Sequence, residues 1–206
     1  MNRKHHWEDV YTHKTSDSVS WYQQHADMSM RLIHHTGLGK NAAIIDVGGG
    51  ASTLVDDLVA EGYSDVTVLD LSEAELDVAK HRLGSLAGQV HWIEGDITRV
   101  AFPPHRYDIW HDRAVFHFLT DPADRHAYVE QVVRTVRPGG HVIVATFAED
   151  SPEKCSGLPV MRYAPDTLHE EFGNAFTLLE HEREMHHTPT GVIQKRIYCY
   201  CRKENQ

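Results

Sequence analysis

The stretch from Ala43 to Thr53, AIIDVGGGAST, constrains this chain more than any other. A short run of branched apolar residues reads as a buried strand. Three glycines directly after it let the backbone turn sharply and come close to a bound molecule. The acid inside the run, Asp46, then decides which molecule that is.

The rest of the chain repeats a strand-then-helix rhythm, which is the signature of an α/β domain. After the first strand, Leu54, Val55, Leu58 and Val59 fall at helical spacing, and Gly62 ends that helix. DVTVLDLS is the second strand, and SEAELDVAKHRLG is a helix with Ser72 as its N-cap and Gly84 as its C-cap. QVHWIEGD and YDIWHD are strands three and four. A helix over DPADRHAYVEQVVRTV is stopped by Pro138-Gly139-Gly140 before strand five, HVIVATFAED. The end breaks the rhythm: AFTLLEHEREMHH and VIQKRIYCYCRK, joined by TPTG, read as an antiparallel hairpin added at the sheet edge.

At 206 residues and 41% hydrophobic content, one domain with a single core is expected. The formal charge of −10 argues against nucleic acid as a partner, because phosphate-backbone binding is driven by clustered Lys and Arg. No apolar run approaches the roughly 20 residues of a membrane span, and MNRKHHWEDVY lacks the apolar centre of a signal peptide. A cytoplasmic protein without a membrane partner, monomeric or homodimeric, is expected. Cys155, Cys199 and Cys201 form neither an even disulfide set nor a CxxC pair, so all three are expected reduced, with the last two on one strand face. The 17 histidines include adjacent pairs, but neighbours on a helix or strand point apart and no HExxH spacing occurs. No metal site is expected.

Two cofactor classes compete for the glycine turn. Asp70 closes the second strand about twenty residues beyond it, where an acid commonly grips a ribose. In Gly48-Gly49-Gly50-Ala51-Ser52-Thr53 the sixth position is not glycine, and Asp46 would repel a pyrophosphate. The same acid would attract the ammonium group of S-adenosylmethionine, while also being able to cap nearby loop amides.

Four motifs in order resemble the class I S-adenosylmethionine-dependent methyltransferases, from roughly residue 40 to the C-terminus. They are IIDVGGGAS, VTVLDLS, IEGDIT and RPGGHVIVATF. The resemblance implies a Rossmann-like seven-stranded sheet, mostly parallel with a C-terminal antiparallel hairpin and helices on both faces. It implies a methyltransferase domain over 41–206, preceded by a helical lid over 1–40. It assigns S-adenosylmethionine, with S-adenosylhomocysteine as product, to Asp46, Gly48, Gly49 and Gly50, with Asp70 on the ribose hydroxyls and Leu71 beside the adenine. Asp96 is then expected at the adenine amino group and Ile97 on its ring face. Ser52 stands where the family usually has a third glycine, which would narrow the room near the methionine moiety.

The segment after strand four leaves the carboxyl edge of the sheet and carries the acceptor information. IWHDRAVFHFL resembles the thiopurine and thiol S-methyltransferase branch, with His111 as an extra residue between Trp110 and Asp112, and CSGLPVMRYAPDTLHEEFG is similar to the same branch. His111 is counted with the cofactor-binding residues. WEDVYTHKTSDSVSWYQ is similar instead to the lead segment of small lysine methyltransferases. The acceptor is therefore a small molecule, thiol or other soft nucleophile first, with a protein lysine as the alternative. A nicotinamide-dependent oxidoreductase or a non-catalytic cofactor-binding protein is the remaining reading.

Asp112, Arg113 and His117 are the catalytic candidates. Arg113 would attract an anionic acceptor, and His117 has the ordinary pKa to take a proton near neutrality. The bland alternatives are a first-turn ion pair and a core histidine. Trp7, Tyr11, Trp21 and Tyr22 are expected as an aromatic lid, with Trp21 and Tyr11 on the cofactor, or else as helix packing. Cys155, in a loop after strand five near the same edge, is expected as an exposed thiol, with contact to the acceptor as the alternative.

Overall fold

The computed structural model describes residues 4, 6–8 and 19–205. The main elements run α1 (Asp27–His35), β1 (Ala43–Val47), α2 (Leu54–Ala60), β2 (Asp65–Asp70), α3 (Glu73–Leu83), β3 (Val90–Glu94) and β4 (Tyr107–Arg113). After them come α4 (Pro122–Thr135), β5 (Val136–Ala148), three two-residue strands β6 (Lys154–Cys155), β7 (Leu158–Pro159) and β8 (Arg162–Tyr163), and α5 (Pro165–Phe172). The hairpin β9 (Phe176–His187) and β10 (Ile193–Lys203) closes the chain. Among the described residues, no helix is long and apolar enough to cross a membrane.

The strand order is β3-β2-β1-β4-β5-β10-β9, with β8 paired beside the end of β5. Strands β1 to β5 are parallel, and β10 is antiparallel to both its neighbours. This is the expected seven-strand path. Its direction reverses between β1 and β4, and open α/β sheets bind ligands at the carboxyl end of that switch point.

Strand β1 is buried on both faces, which is why it reads as a nearly continuous apolar run. Ile45 and Val47 pack on one side with Trp110, Tyr128, Leu168 and Phe172. Ile44 packs on the other with Leu32, Ile33, Leu54, Leu58 and Leu76. The period of two along one strand thus sorts its neighbours into a layer holding α4 and α5 and a layer holding α1, α2 and α3.

Three local details differ from the sequence expectation. Helix α4, capped by Asp121 accepting from the Ala123 amide, ends at Thr135, three residues before Pro138, because Val136 is already paired with Tyr107. Ser72 occupies the N-cap of α3, but its hydroxyl has no partner; its amide instead donates to Asp70 Oδ1 at 3.0 Å. Cys155 is buried, not exposed. Cys199 and Cys201 are buried free thiols on one face of β10, their sulfurs 3.7 Å apart.

Candidate active site

The turn after β1 is held by two amides, Gly48 N and Gly49 N, which donate to Leu69 O at 2.7 and 3.3 Å. Gly48 has φ +70°, and a Cβ there would stand 2.0 Å from Val115 Cγ2. A Cβ on Gly50 would stand 2.5 Å from Glu75 Cβ and 2.9 Å from Asp70 Oδ2. Side chains are excluded at both positions, so the backbone lies against the neighbouring loops without an intervening layer.

Asp46 is buried at 2% exposure. Its Oδ1 is 2.7 Å from His111 Nδ1, and His111 Nε2 is 2.9 Å from Ser29 Oγ. Oδ2 has no hydrogen-bond partner, although the residue borders a cleft with Trp21, Gly48, Ser52 and Arg113. His111 therefore stands behind Asp46 and orients it rather than lining the pocket, because it lies on the β4 face that packs on α1. That corrects its placement among the cofactor-binding residues.

Asp70 Oδ2 accepts from Gly50 N at 3.0 Å, and Oδ1 from Ser72 N. Burial pushes its carboxyl up to about 6, while these amides and Glu75 pull it down. Asp96 Oδ1 accepts from the Thr98 amide at 2.9 Å and hydroxyl at 2.7 Å.

While Asp46 borders the neighbouring cleft, one pocket gathers Gly48, Asp70 and Asp96. Its walls include Gly48, Asp70, Leu71, Glu75, Asp96 and Ile97 at one end, and Trp7, Trp21, Arg113, Phe118 and Cys155 at the other. Trp7 meets Trp21 and Phe118 edge to face, with ring centroids 5.6 and 5.1 Å apart. Tyr11 lies outside the described residues, and Tyr22 borders two other clefts. Ala114, also in the wall, holds φ 78°, a left-handed conformation that a residue with a Cβ adopts only when its surroundings impose it.

The three catalytic candidates separate. Arg113 lines the pocket and is tied down: Nε donates to Tyr198 Oη at 2.9 Å, Nη1 to Trp21 O at 3.0 Å and Nη2 to Glu184 Oε2 at 3.2 Å. Asp112 does not reach the pocket. It is fully buried and accepts from Val115 N, Phe116 N and Tyr128 Oη at 2.8, 3.0 and 2.7 Å. Burial pushes its carboxyl up to about 6 against the pull of those donors. His117 is fully buried too, its Nδ1 accepting from Phe147 N at 3.2 Å, and burial with the charges of Arg196 and Arg113 drives its pKa well below the ordinary value. Both are therefore corrected from groups that meet an acceptor to groups that build the turn around it.

Sequence reasoning missed Glu75, which reads as an ordinary first-turn acid of α3, and did not single out Val115 and Phe118 within IWHDRAVFHFL. Among the described residues, no cluster of three or more His, Cys, Asp or Glu is arranged to hold a metal.

A family model described as a methyltransferase domain matches residues 44–140. The chain is 24% identical over 139 residues to an eEF1A lysine and N-terminal methyltransferase of Mus musculus, covering 67% of this chain and 19% of that one. It is 27% identical over 167 residues to the O-methyltransferase cnsE of Penicillium expansum, covering 77% of this chain and 55% of the relative. It thus spans about a fifth of one relative and about half of the other. A solved structure titled for the conversion of a disulfide bond into a thioacetal group during echinomycin biosynthesis superposes with a TM-score of 0.79 at 16% identity, covering 98% of this chain and 92% of that one. At that identity the match speaks for the fold.

Proposed function

We propose that the chain, whose residues 44–140 match a methyltransferase domain, is a class I S-adenosylmethionine-dependent methyltransferase that transfers a methyl group from that cofactor to a small-molecule acceptor, a thiol or another soft nucleophile before an amine. The observation that carries this reading is the continuity of one pocket from the Asp70–Asp96 end to the Trp7–Trp21–Phe118 end. A cofactor and an acceptor held there would share one enclosed, mostly apolar space, which suits a displacement that must be aligned and kept from water.

The residues fit the cofactor. The side-chain-free turn at Gly48 and Gly50 gives a ligand close approach, and the unpartnered Asp46 Oδ2 is a buried anionic oxygen for an ammonium group. Asp70 and Glu75 would hold the ribose; Leu71, Asp96 and Ile97 would hold the adenine. When bound, the cofactor supplies a methyl group on a sulfonium sulfur, displaced in line. Trp7 and Trp21, from the N-terminal segment, act in this reading as a lid over the site.

Among the residues lining the acceptor end, none is poised to take a proton at neutral pH. Arg113 stays charged, and burial raises the Cys155 thiol. An acceptor that ionises unaided is favoured, and thiols, with a reference pKa near about 8.5, do so far more readily than amines near about 10.4. The mouse relative favours a lysine side chain as a second reading. Arg113 disfavours it, because a lysine ammonium would approach a fixed guanidinium.

Calorimetry with S-adenosylhomocysteine and with NAD tests the cofactor. Methyl release across thiols, phenols, amines and lysine peptides tests the acceptor. Binding of NAD in place of S-adenosylhomocysteine would overturn the first assignment, and turnover of amines with thiols inert would overturn the second.

A further inference from the structure

Behind the acceptor end of the pocket the protein buries one more positive charge than it neutralises. Arg196 of β10 is fully buried, yet its Nε and Nη1 have no hydrogen-bond partner among the described residues. Its Nη2 donates to Gln194 Oε1 at 3.1 Å, and Glu184 Oε2 stands 3.9 Å from Nε. That same oxygen already accepts from Arg113 Nη2 at 3.2 Å and Tyr198 Oη at 3.4 Å. Two guanidiniums therefore share one carboxylate.

The surrounding groups add no anion. The Phe147 ring, 5.4 Å from the Arg196 guanidinium, offers only its π face. His117 and His186 are held neutral by burial and by both arginines. Cys155 feels the charge of Arg196 but stays protonated, because burial dominates. A buried guanidinium with unmet donors is costly unless a negative group completes it. Arg113 and Cys155 line the pocket, and Arg196 interacts electrostatically with both. The missing charge can thus arrive with a ligand.

We propose that the methyl acceptor carries a carboxylate, which seats at the Arg113–Cys155 end of the pocket and is held by Arg196 behind that wall. This deepens the function proposed above and rests on it. The rest of such an acceptor lies between Trp7, Trp21 and Phe118, so an aromatic acid is the simplest match.

The test uses two isosteric probes, benzoate and benzyl alcohol, titrated into the full chain alone and into its S-adenosylhomocysteine complex. Benzoate is expected to bind the complex at least about ten-fold more tightly, the scale of a charge–charge attraction acting across a partly buried wall. In Arg196→Met that preference is expected to vanish while S-adenosylhomocysteine affinity is kept. Equal affinity of the two probes in the wild type overturns the proposal, as does a preference that survives in a folded Arg196→Met. Where Arg196→Met does not fold, Arg196→Lys keeps the charge and the wild-type comparison decides alone. Failure of S-adenosylhomocysteine to bind would remove the methyltransferase reading, whereas the benzoate preference of the chain alone still decides the anion site.

Discussion

Tyr128 donates its hydroxyl to Asp112 Oδ2 at 2.7 Å while accepting from Trp110 Nε1 at 2.8 Å. A residue of α4 is thereby joined to two residues of β4 separated by one position, on the face opposite His111. The other acceptor sites of Asp112 take the amides of Val115 and Phe116. The wall that carries Arg113, Ala114, Val115 and Phe118 is thus anchored from beneath by one buried carboxylate.

Asp112→Ala leaves two backbone amides and a hydroxyl buried without their acceptor, at about 1–3 kcal/mol each. The variant is expected to lose about 3 kcal/mol or more of stability and on the order of 10 °C in Tm. Methyl transfer should fall with it as the turn moves. Wild-type Tm would show that the turn holds itself.

With the ribose placed on Asp70 as proposed, this carboxyl would set a pH limit on cofactor binding. Burial raises its carboxyl to about 6, and only the ionised form accepts from two ribose hydroxyls. Affinity for S-adenosylhomocysteine should hold from neutral pH down to about 6, then fall by up to about ten-fold per pH unit. In Asp70→Asn that acid limb is expected to disappear along with most of the affinity. A flat profile in the wild type from pH 7 to 5 would sink the assignment of Asp70.

The mostly parallel sheet and its closing hairpin were legible because they rest on local signals: a branched run, a glycine turn, a turn between two alternating strands. What was not legible depends on which way a side chain turns. Asp112 and Arg113 are adjacent, yet Asp112 points into the α4 layer and Arg113 into the pocket wall. The left-handed Ala114 that follows has no signature in the sequence. Cys155 was read as exposed because its segment is rich in polar and turn residues, but β6 and β7 fold it back over the sheet edge. Arg196 carries no signal in the sequence that it is buried, although it is fully buried on β10.

His117 should affect stability and leave the pH profile of catalysis alone. Its folded pKa is far below the unfolded value of about 6.5, so the unfolded chain binds a proton that the folded one refuses. The contribution of this group is fully present above about 6.5 and is lost as pH falls below that value. His117→Leu is expected to cost about 1–3 kcal/mol at pH 8, from the unpaired Phe147 amide, and to flatten the acid limb by up to about 1.4 kcal/mol per pH unit. Urea unfolding from pH 5 to 8 measures both. A kcat profile that loses an ionisation in the variant would restore His117 as a base.

Gly48→Ala isolates the turn itself. The added methyl group meets Val115 Cγ2 at 2.0 Å, and φ +70° disfavours any Cβ by about 1–2 kcal/mol. Two penalties therefore act at one position, and they can be separated. Val115→Ala removes the atom in the way but not the backbone strain, so Gly48→Ala combined with Val115→Ala should regain part of the lost S-adenosylhomocysteine affinity and part of the lost Tm. A positive coupling in that double-mutant cycle is expected, since the two residues touch. Strict additivity would mean that the turn gives way through its backbone, and that Val115 does not set the width of the pocket above Gly48.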